Sequence, residues 1–260
     1  MDTAAGATIA GAAVAGLVAG RLAVVAAAWL PGYVPARRVP SLRCPHGAGL
    51  RAADLVPGTG GRRLRGRCPE CAPALSARPL AAELLTAAVF AVLARRFGPQ
   101  PVLAAFCYLG AVGVALARID ARLGRLPDAL TLPSYPVALA LLGVAALTGP
   151  DGGPRLLTAL AGLAGAWLLF VAQALIYPAG IGWGDVKLSG LLGLYLGWLG
   201  PGALITGLFT GYLLAAAAAL ALLAARRASR TSLLPFGPFL LAGTLIAILL
   251  SGPGPGAGAG

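Results

Sequence analysis

Long apolar runs alternate with short polar or glycine- and proline-rich breaks along most of the chain. A membrane-spanning helix needs about 20 largely apolar residues, since each adds 1.5 Å and the hydrocarbon layer is about 30 Å thick. Such runs extend from about Ala4 to Leu30, Leu80 to Ala94, Val102 to Ile119, Ala129 to Leu147 and Leu156 to Ile176. After a glycine-rich turn come a short run from Val186 to Leu199 and longer ones from Ala203 to Ala225 and Leu233 to Leu250. The pattern predicts an all-α, polytopic membrane helical bundle of about eight helices, two of them short. Composition does not separate a short spanning helix from a re-entrant one, so the count can shift by one or two.

The breaks set the expected organisation. Residues 1–30 read as a first transmembrane helix, 31–79 as a small Arg- and Pro-rich cytoplasmic loop domain, 80–251 as the main membrane domain and 252–260 as a flexible tail, GPGPGAGAG. The first run opens on Met1 and Asp2 instead of a basic segment, and its apolar stretch is long for a cleavable signal, so it reads as a retained anchor.

Composition agrees. Of the 260 residues, 58% are hydrophobic and 11% charged, and the mean hydropathy is +0.85. That apolar content excludes disorder, and four Cys in a chain this long exclude a disulfide scaffold.

The net charge of +12 is the excess of 19 Arg and one Lys over eight acids. The basic residues cluster between the apolar runs, as in the cytoplasmic loops of membrane proteins, where anionic lipid headgroups are natural partners. Nothing favours a nucleic acid. With the N-terminal run entering from outside, the nine Arg between Arg37 and Arg78 lie in the cytoplasm, and alternation adds Arg118, Arg122, Arg125, Lys187, Arg226, Arg227 and Arg230. Only Arg95, Arg96 and Arg155 fall outside, which satisfies the positive-inside rule. The Arg-for-Lys bias, with abundant Ala and Gly, points to a GC-rich bacterial genome.

The acids are few: Asp2, Asp54, Glu70, Glu83, Asp120, Asp128, Asp151 and Asp185. Ionisable groups at membrane depth are costly, so those at helix ends facing a polar cavity are candidates for function. Asp120, Asp128 and Asp185 qualify, with Glu83 as a fourth, and the topology places the three aspartates together at the cytoplasmic face. The only His, His46, stands beside no apparent nucleophile, and no HExxH, GxxxxGK[ST] or GxSxG occurs. Hydrolysis by this chain therefore has to use carboxylates.

Two carboxylates can activate water if one is ionised and takes the water proton while the other, protonated, polarises the carbonyl. Asp120 ends an apolar run, where a helix C-terminus favours the acid form; Asp185 opens one, where a helix N-terminus favours the ionised form. This contrast points to Asp185 as base and Asp120 as acid, although coupled carboxylates titrate as a pair and can exchange roles during turnover. Gly180, Gly182 and Gly184 allow a sharp turn close to a substrate strand. On spacing alone the same turn can equally be a connector with Asp185 as a simple helix cap, and Pro127-Asp128 can be ordinary helix-start chemistry.

Four segments resemble the type IV prepilin peptidases. RIDARLGRLPDALTLP, from Arg118 to Pro133, resembles their first aspartate motif, and GIGWGDVKLSGLLG, from Gly180 to Gly193, their GxGD motif with its following lysine. PFGPF, from Pro235 to Phe239, resembles their last-helix motif, and LSARPLAAELLTAAVF, carrying Arg78 and Glu83, the start of their second helix. The resemblance covers most of the chain after Cys68, in the family's order. It implies a GxGD-type aspartic protease of the bacterial inner membrane that removes the short basic leader of prepilins or pseudopilins, cutting after a Gly. Asp120 and Asp185 are then the catalytic pair, with Asp128, Gly182, Gly184 and Lys187 as supporting positions, and proteolysis requires no cofactor.

The chain departs from the family in two places. Many members carry two CxxC pairs in the first loop, a set suited to tetrahedral zinc. Here Cys68 and Cys71 form one pair, while the other reads Cys44-Pro45-His46-Gly47. Cys44, His46, Cys68 and Cys71 are either a zinc site with unusually tight C-x-H spacing or a degenerate, metal-free loop, and both readings stay open. Bifunctional members, which also N-methylate the new pilin terminus, carry a GSFLNVVIYRLP-like stretch in the first helix. This chain has GRLAVVAAAWLP, Gly20 to Pro31, with Val24 and Trp29 in place of the Asn and Arg. Methyl transfer from S-adenosylmethionine is thereby placed in doubt. A proton-coupled transporter, the competing class, predicts midplane acids and inverted repeats, and no repeat is visible. An inactive pilin-binding scaffold shares every feature except turnover. The sequence leaves open whether the chain forms a homo-oligomer.

Overall fold

The computed structural model describes residues 3–29, 79–149, 151–178, 180–226 and 235–251. All regular elements among them are α-helices: α1 (Thr3–Trp29), α2 (Pro79–Phe97), α3 (Val102–Leu123), α4 (Asp128–Thr148), α5 (Gly152–Ile176), α6 (Trp183–Leu199), α7 (Pro201–Ala224) and α8 (Gly237–Leu250). Five segments, Ala5–Ala23 within α1 together with α3, α4, α5 and α7, are long and apolar enough to cross a bilayer. The chain is a multi-pass helical membrane protein, as its hydropathy predicts. The loop positions Cys44, His46, Cys68 and Cys71 lie outside the described residues.

The expected boundaries hold within a few residues, and local chemistry explains the shifts. Helix α6 starts at Trp183, because Gly182, in an extended conformation, caps it and accepts the Asp185 and Val186 N–H groups at 3.0 and 3.2 Å. Helix α8 starts only at Gly237, past Pro235, and is 14 residues long. Proline cannot donate the backbone hydrogen bond that a helix interior requires.

The chain divides into two compact units, Met1–Ala115 and Leu116–Gly260. The division falls inside α3. In the first unit α1 lies against α2, and a Cβ at Gly16 would stand 2.6 Å from the Cα of Ala87, so these backbones approach as only small residues permit. One turn further along, the Arg21 guanidinium pairs with the Glu83 carboxylate at 3.3 Å, with Arg21 1% and Glu83 0% exposed. Glu83 thus meets a fixed cation instead of lining a polar cavity. A buried charge away from water requires such a partner.

In the second unit α6 is the hub, packed by α4, α5, α7 and α8. It is buried from Leu188 through Trp198. The seam with α5 is built on glycine: a Cβ at Gly162 would lie 2.5 Å from the Gly193 carbonyl oxygen. Around this core Leu147, Leu157, Ile205 and Phe209 are exposed, which suits side chains that face lipid tails.

Candidate active site

The second unit gathers Asp120, Asp128, Asp185 and Lys187 at one end, where α3 finishes and α4, α6 and α8 begin. Alternating spans predict this meeting of helix ends, and three contacts bind it together.

The first holds Asp120. Its side chain, in the last turn of α3, is 5% exposed. Its Oδ2 accepts the Gly237 N–H at 3.0 Å. That N–H opens α8, whose first-turn donors have no partner within the helix. Asp120 therefore lies in the last turn of α3 and at the same time serves the N-terminus of α8. A Cβ at Gly237 would stand 2.8 Å from Asp120 Oδ2, so glycine is what admits the carboxylate so close.

The second contact fixes the GxGD turn. Asp185 lies in the first turn of α6, half-buried, with its Oδ2 3.4 Å from where a Gly182 Cβ would be. A Cβ at Gly184 would come within 3.0 Å of the Leu126 Cβ, and Leu126 Cδ2 would lie 3.5 Å from a Cβ at Gly237. Leu126, buried in the turn between α3 and α4, thus touches the glycine next to Asp185 and the glycine that holds Asp120. It acts as a spacer between the two. Asp120 and Asp185 are close enough for their charges to interact. Both carboxylates now stand at helix N-termini, Asp185 at its own and Asp120 at that of α8. The difference in helix ends that separated acid from base in the sequence no longer does so.

The third contact sets Asp128 apart. Lys187 Nζ donates to both Asp128 carboxylate oxygens, at 2.8 and 2.7 Å, joining α4 to α6. The pair is solvent-accessible, with Asp128 56% and Lys187 31% exposed. Pro127 caps α4 and Asp128 follows it, so the helix-start reading of this dipeptide holds. Tyr135 further ties α4 to α6 by donating its hydroxyl to the Lys187 carbonyl.

Three aromatic rings complete the site, and motif reading passes over them. Phe236, the residue before α8, lies 5.1 Å from the Tyr212 ring of α7 and 6.2 Å from the Phe170 ring of α5. Tyr212 donates its hydroxyl to Gln173 Oε1 and interacts electrostatically with Asp185. Tyr212 falls midway along α7, so α8 begins part-way down the neighbouring helix. Among the described residues no three His, Cys, Asp or Glu side chains cluster as metal ligands.

A model of the type IV leader peptidase family matches residues 107–252, the region holding every contact above. A second, for the bacterial peptidase A24 N-terminal domain, matches residues 14–97. The chain is 36% identical over 222 residues to a prepilin leader peptidase/N-methyltransferase of Burkholderia pseudomallei, covering 83% of this chain and 69% of that protein. Similarly named proteins of Aeromonas hydrophila and Dickeya chrysanthemi are 35% and 33% identical, over 81% and 82% of this chain and 72% and 74% of theirs. No solved structure matches significantly. With more than half of its length matched by the family model, and relatives above 30% identity over most of both chains, the protein belongs to the type IV leader peptidase family.

Proposed function

We propose that the chain is an aspartic endopeptidase of the bacterial inner membrane that removes the N-terminal leader of type IV prepilins or pseudopilins at the cytoplasmic face. The observation that supports this most is geometric: Asp120 and Asp185 stand at adjoining helix ends, Asp120 held by the Gly237 N–H and Leu126 lying against the glycines beside both. With one proton shared by the pair, the ionised carboxylate takes a proton from water as the oxygen attacks the scissile carbonyl, and the protonated one hydrogen-bonds the carbonyl oxygen. Collapse of the tetrahedral species breaks the C–N bond, with a proton delivered to the leaving nitrogen. Asp128 and Lys187 support the site through their mutual ion pair, and Gly182 and Gly184 through the closeness of the turn.

Co-expression with a candidate prepilin tests the reading. A leader-length mobility shift is expected with the native chain and is expected to vanish in Asp120→Asn and in Asp185→Asn. Cleavage surviving either substitution would overturn it.

Dual naming of the relatives favours a second activity, N-methylation of the trimmed pilin. Against it stand Val24 and Trp29 in the first helix. Mass spectrometry of pilin processed by this chain alone decides: a terminus heavier by one methyl group establishes the transferase.

A further inference from the structure

Resting on the carboxylate-pair reading, we propose that Tyr212 is a positioning residue for Asp120, acting through Phe236 and the Gly237 N–H. The peptide group carrying that N–H begins at the Phe236 carbonyl, and because a peptide is planar, whatever fixes Phe236 also aims the donor. The Phe236 carbonyl oxygen already accepts the Phe239 and Leu240 N–H groups at 3.1 and 3.2 Å, so Phe236 closes the first turn of α8. The next residue, Pro238, has no N–H. The Gly237 N–H is thus the donor at this point of the turn, and its partner is Asp120 Oδ2 at 3.0 Å.

What fixes Phe236 comes from other helices. Its ring packs at a tilt against Tyr212 at 5.1 Å and Phe170 at 6.2 Å, and those two rings are 5.7 Å apart, closing a three-ring cluster. Tilted aromatic contacts at such separations are directional as well as apolar. Phe170 is fully buried in α5. Tyr212 is locked in the cluster at its other end, where its hydroxyl donates to Gln173 Oε1 of α5. Next to it, Gly211 lets α8 in: a Cβ there would meet Leu240 Cα at 3.1 Å. Tyr212 thus stands where α7 meets the start of α8, within electrostatic reach of Asp185. Its ring meets Phe236, and through that contact its effect passes to the segment that presents the Gly237 N–H.

The test uses the full chain in detergent or nanodiscs. Its substrate is a synthetic peptide with a short basic leader, the Gly that ends it and the apolar segment beyond. Tyr212→Phe keeps the ring and removes the hydroxyl; Gln173→Leu removes the acceptor and leaves the tyrosine in place. Each is expected to lower kcat about tenfold with KM unchanged, the size of effect that loss of one well-placed hydrogen bond produces. In a Gly237→Ala background, where the Asp120 contact is already disturbed, Tyr212→Phe is expected to cost less than about twofold. A purely structural hydroxyl would give equal losses in both backgrounds and would track the folded fraction, and that outcome would overturn the proposal. So would wild-type kcat in both Tyr212→Phe and Gln173→Leu while Asp120→Asn and Asp185→Asn are inactive. Activity surviving in either Asn variant would instead sink the carboxylate-pair reading itself.

Discussion

Asp120 Oδ2 and the Gly237 N–H meet at 3.0 Å across 117 residues of sequence, joining the end of one helix to the start of another. A Cβ at position 237 would press on that oxygen at 2.8 Å. Gly237→Ala is expected to leave a folded protein with kcat for leader cleavage reduced about 10- to 100-fold, the equivalent of a hydrogen bond to a charged group at about 1.5–3 kcal/mol. Steady-state kinetics on the purified variant check this, and undiminished turnover would remove Gly237 from the site.

A pair that works with one shared proton loses activity in both directions of pH. On the acid side both carboxylates are protonated and no base remains; on the alkaline side both are ionised and no proton remains to polarise the carbonyl. The profile of kcat/KM is therefore expected to be bell-shaped, with both limbs belonging to the Asp120–Asp185 pair. Activity rising to a plateau at alkaline pH would contradict a shared proton.

The Asp128–Lys187 pair lies in water and is not part of the proton-sharing set. Exposed pairs contribute about 0–1 kcal/mol, so Asp128→Asn and Lys187→Met are each expected to keep cleavage within about fivefold of the native rate. Cleavage rates for both variants decide the matter, and abolition in Asp128→Asn would move that residue into the chemistry.

Arg21 and Glu83 pair in the interior of the first unit at 3.3 Å, both fully buried. Arg21→Met is expected to destabilise the protein by about 3–5 kcal/mol, and the double variant Arg21→Met with Glu83→Leu to recover most of the loss. Thermal unfolding in nanodiscs measures both. Equal destabilisation in the single and double variants would show that the ion pair is not the source.

Water activation by carboxylates requires no metal. Exhaustive chelation of the purified protein, followed by cleavage assay and metal analysis, is expected to leave the rate unchanged whether or not zinc is found at Cys44, His46, Cys68 and Cys71. A rate that falls with the metal content and returns on adding zinc would reverse that expectation.

Features governed by local chemistry were legible in the sequence. Hydropathy located the eight described helices because each is a continuous apolar run, and Pro127-Asp128 marked the start of α4 because proline favours a first turn. The meeting of Asp120, Asp128 and Asp185 followed from counting crossings. Gly237 was visible only as part of PFGPF, and its task was hidden because a backbone N–H leaves no mark on residue identity. Leu126 and Tyr212 were hidden for a related reason. Each looks like any apolar or aromatic residue until helices far apart in sequence bring it against a glycine or a ring. Arg21 carries no such mark either, because it lies singly inside an apolar helix and belongs to no loop cluster.

The contact between Asp120 and α8 also has a place in time. Asp120 leaves the ribosome 117 residues ahead of Gly237, and Asp185 follows it well before α8 exists. Until Gly237 is made, Asp120 lacks the backbone donor that holds it. A protease whose carboxylate is aligned by a later-made helix acquires its alignment after most of its spans have been inserted.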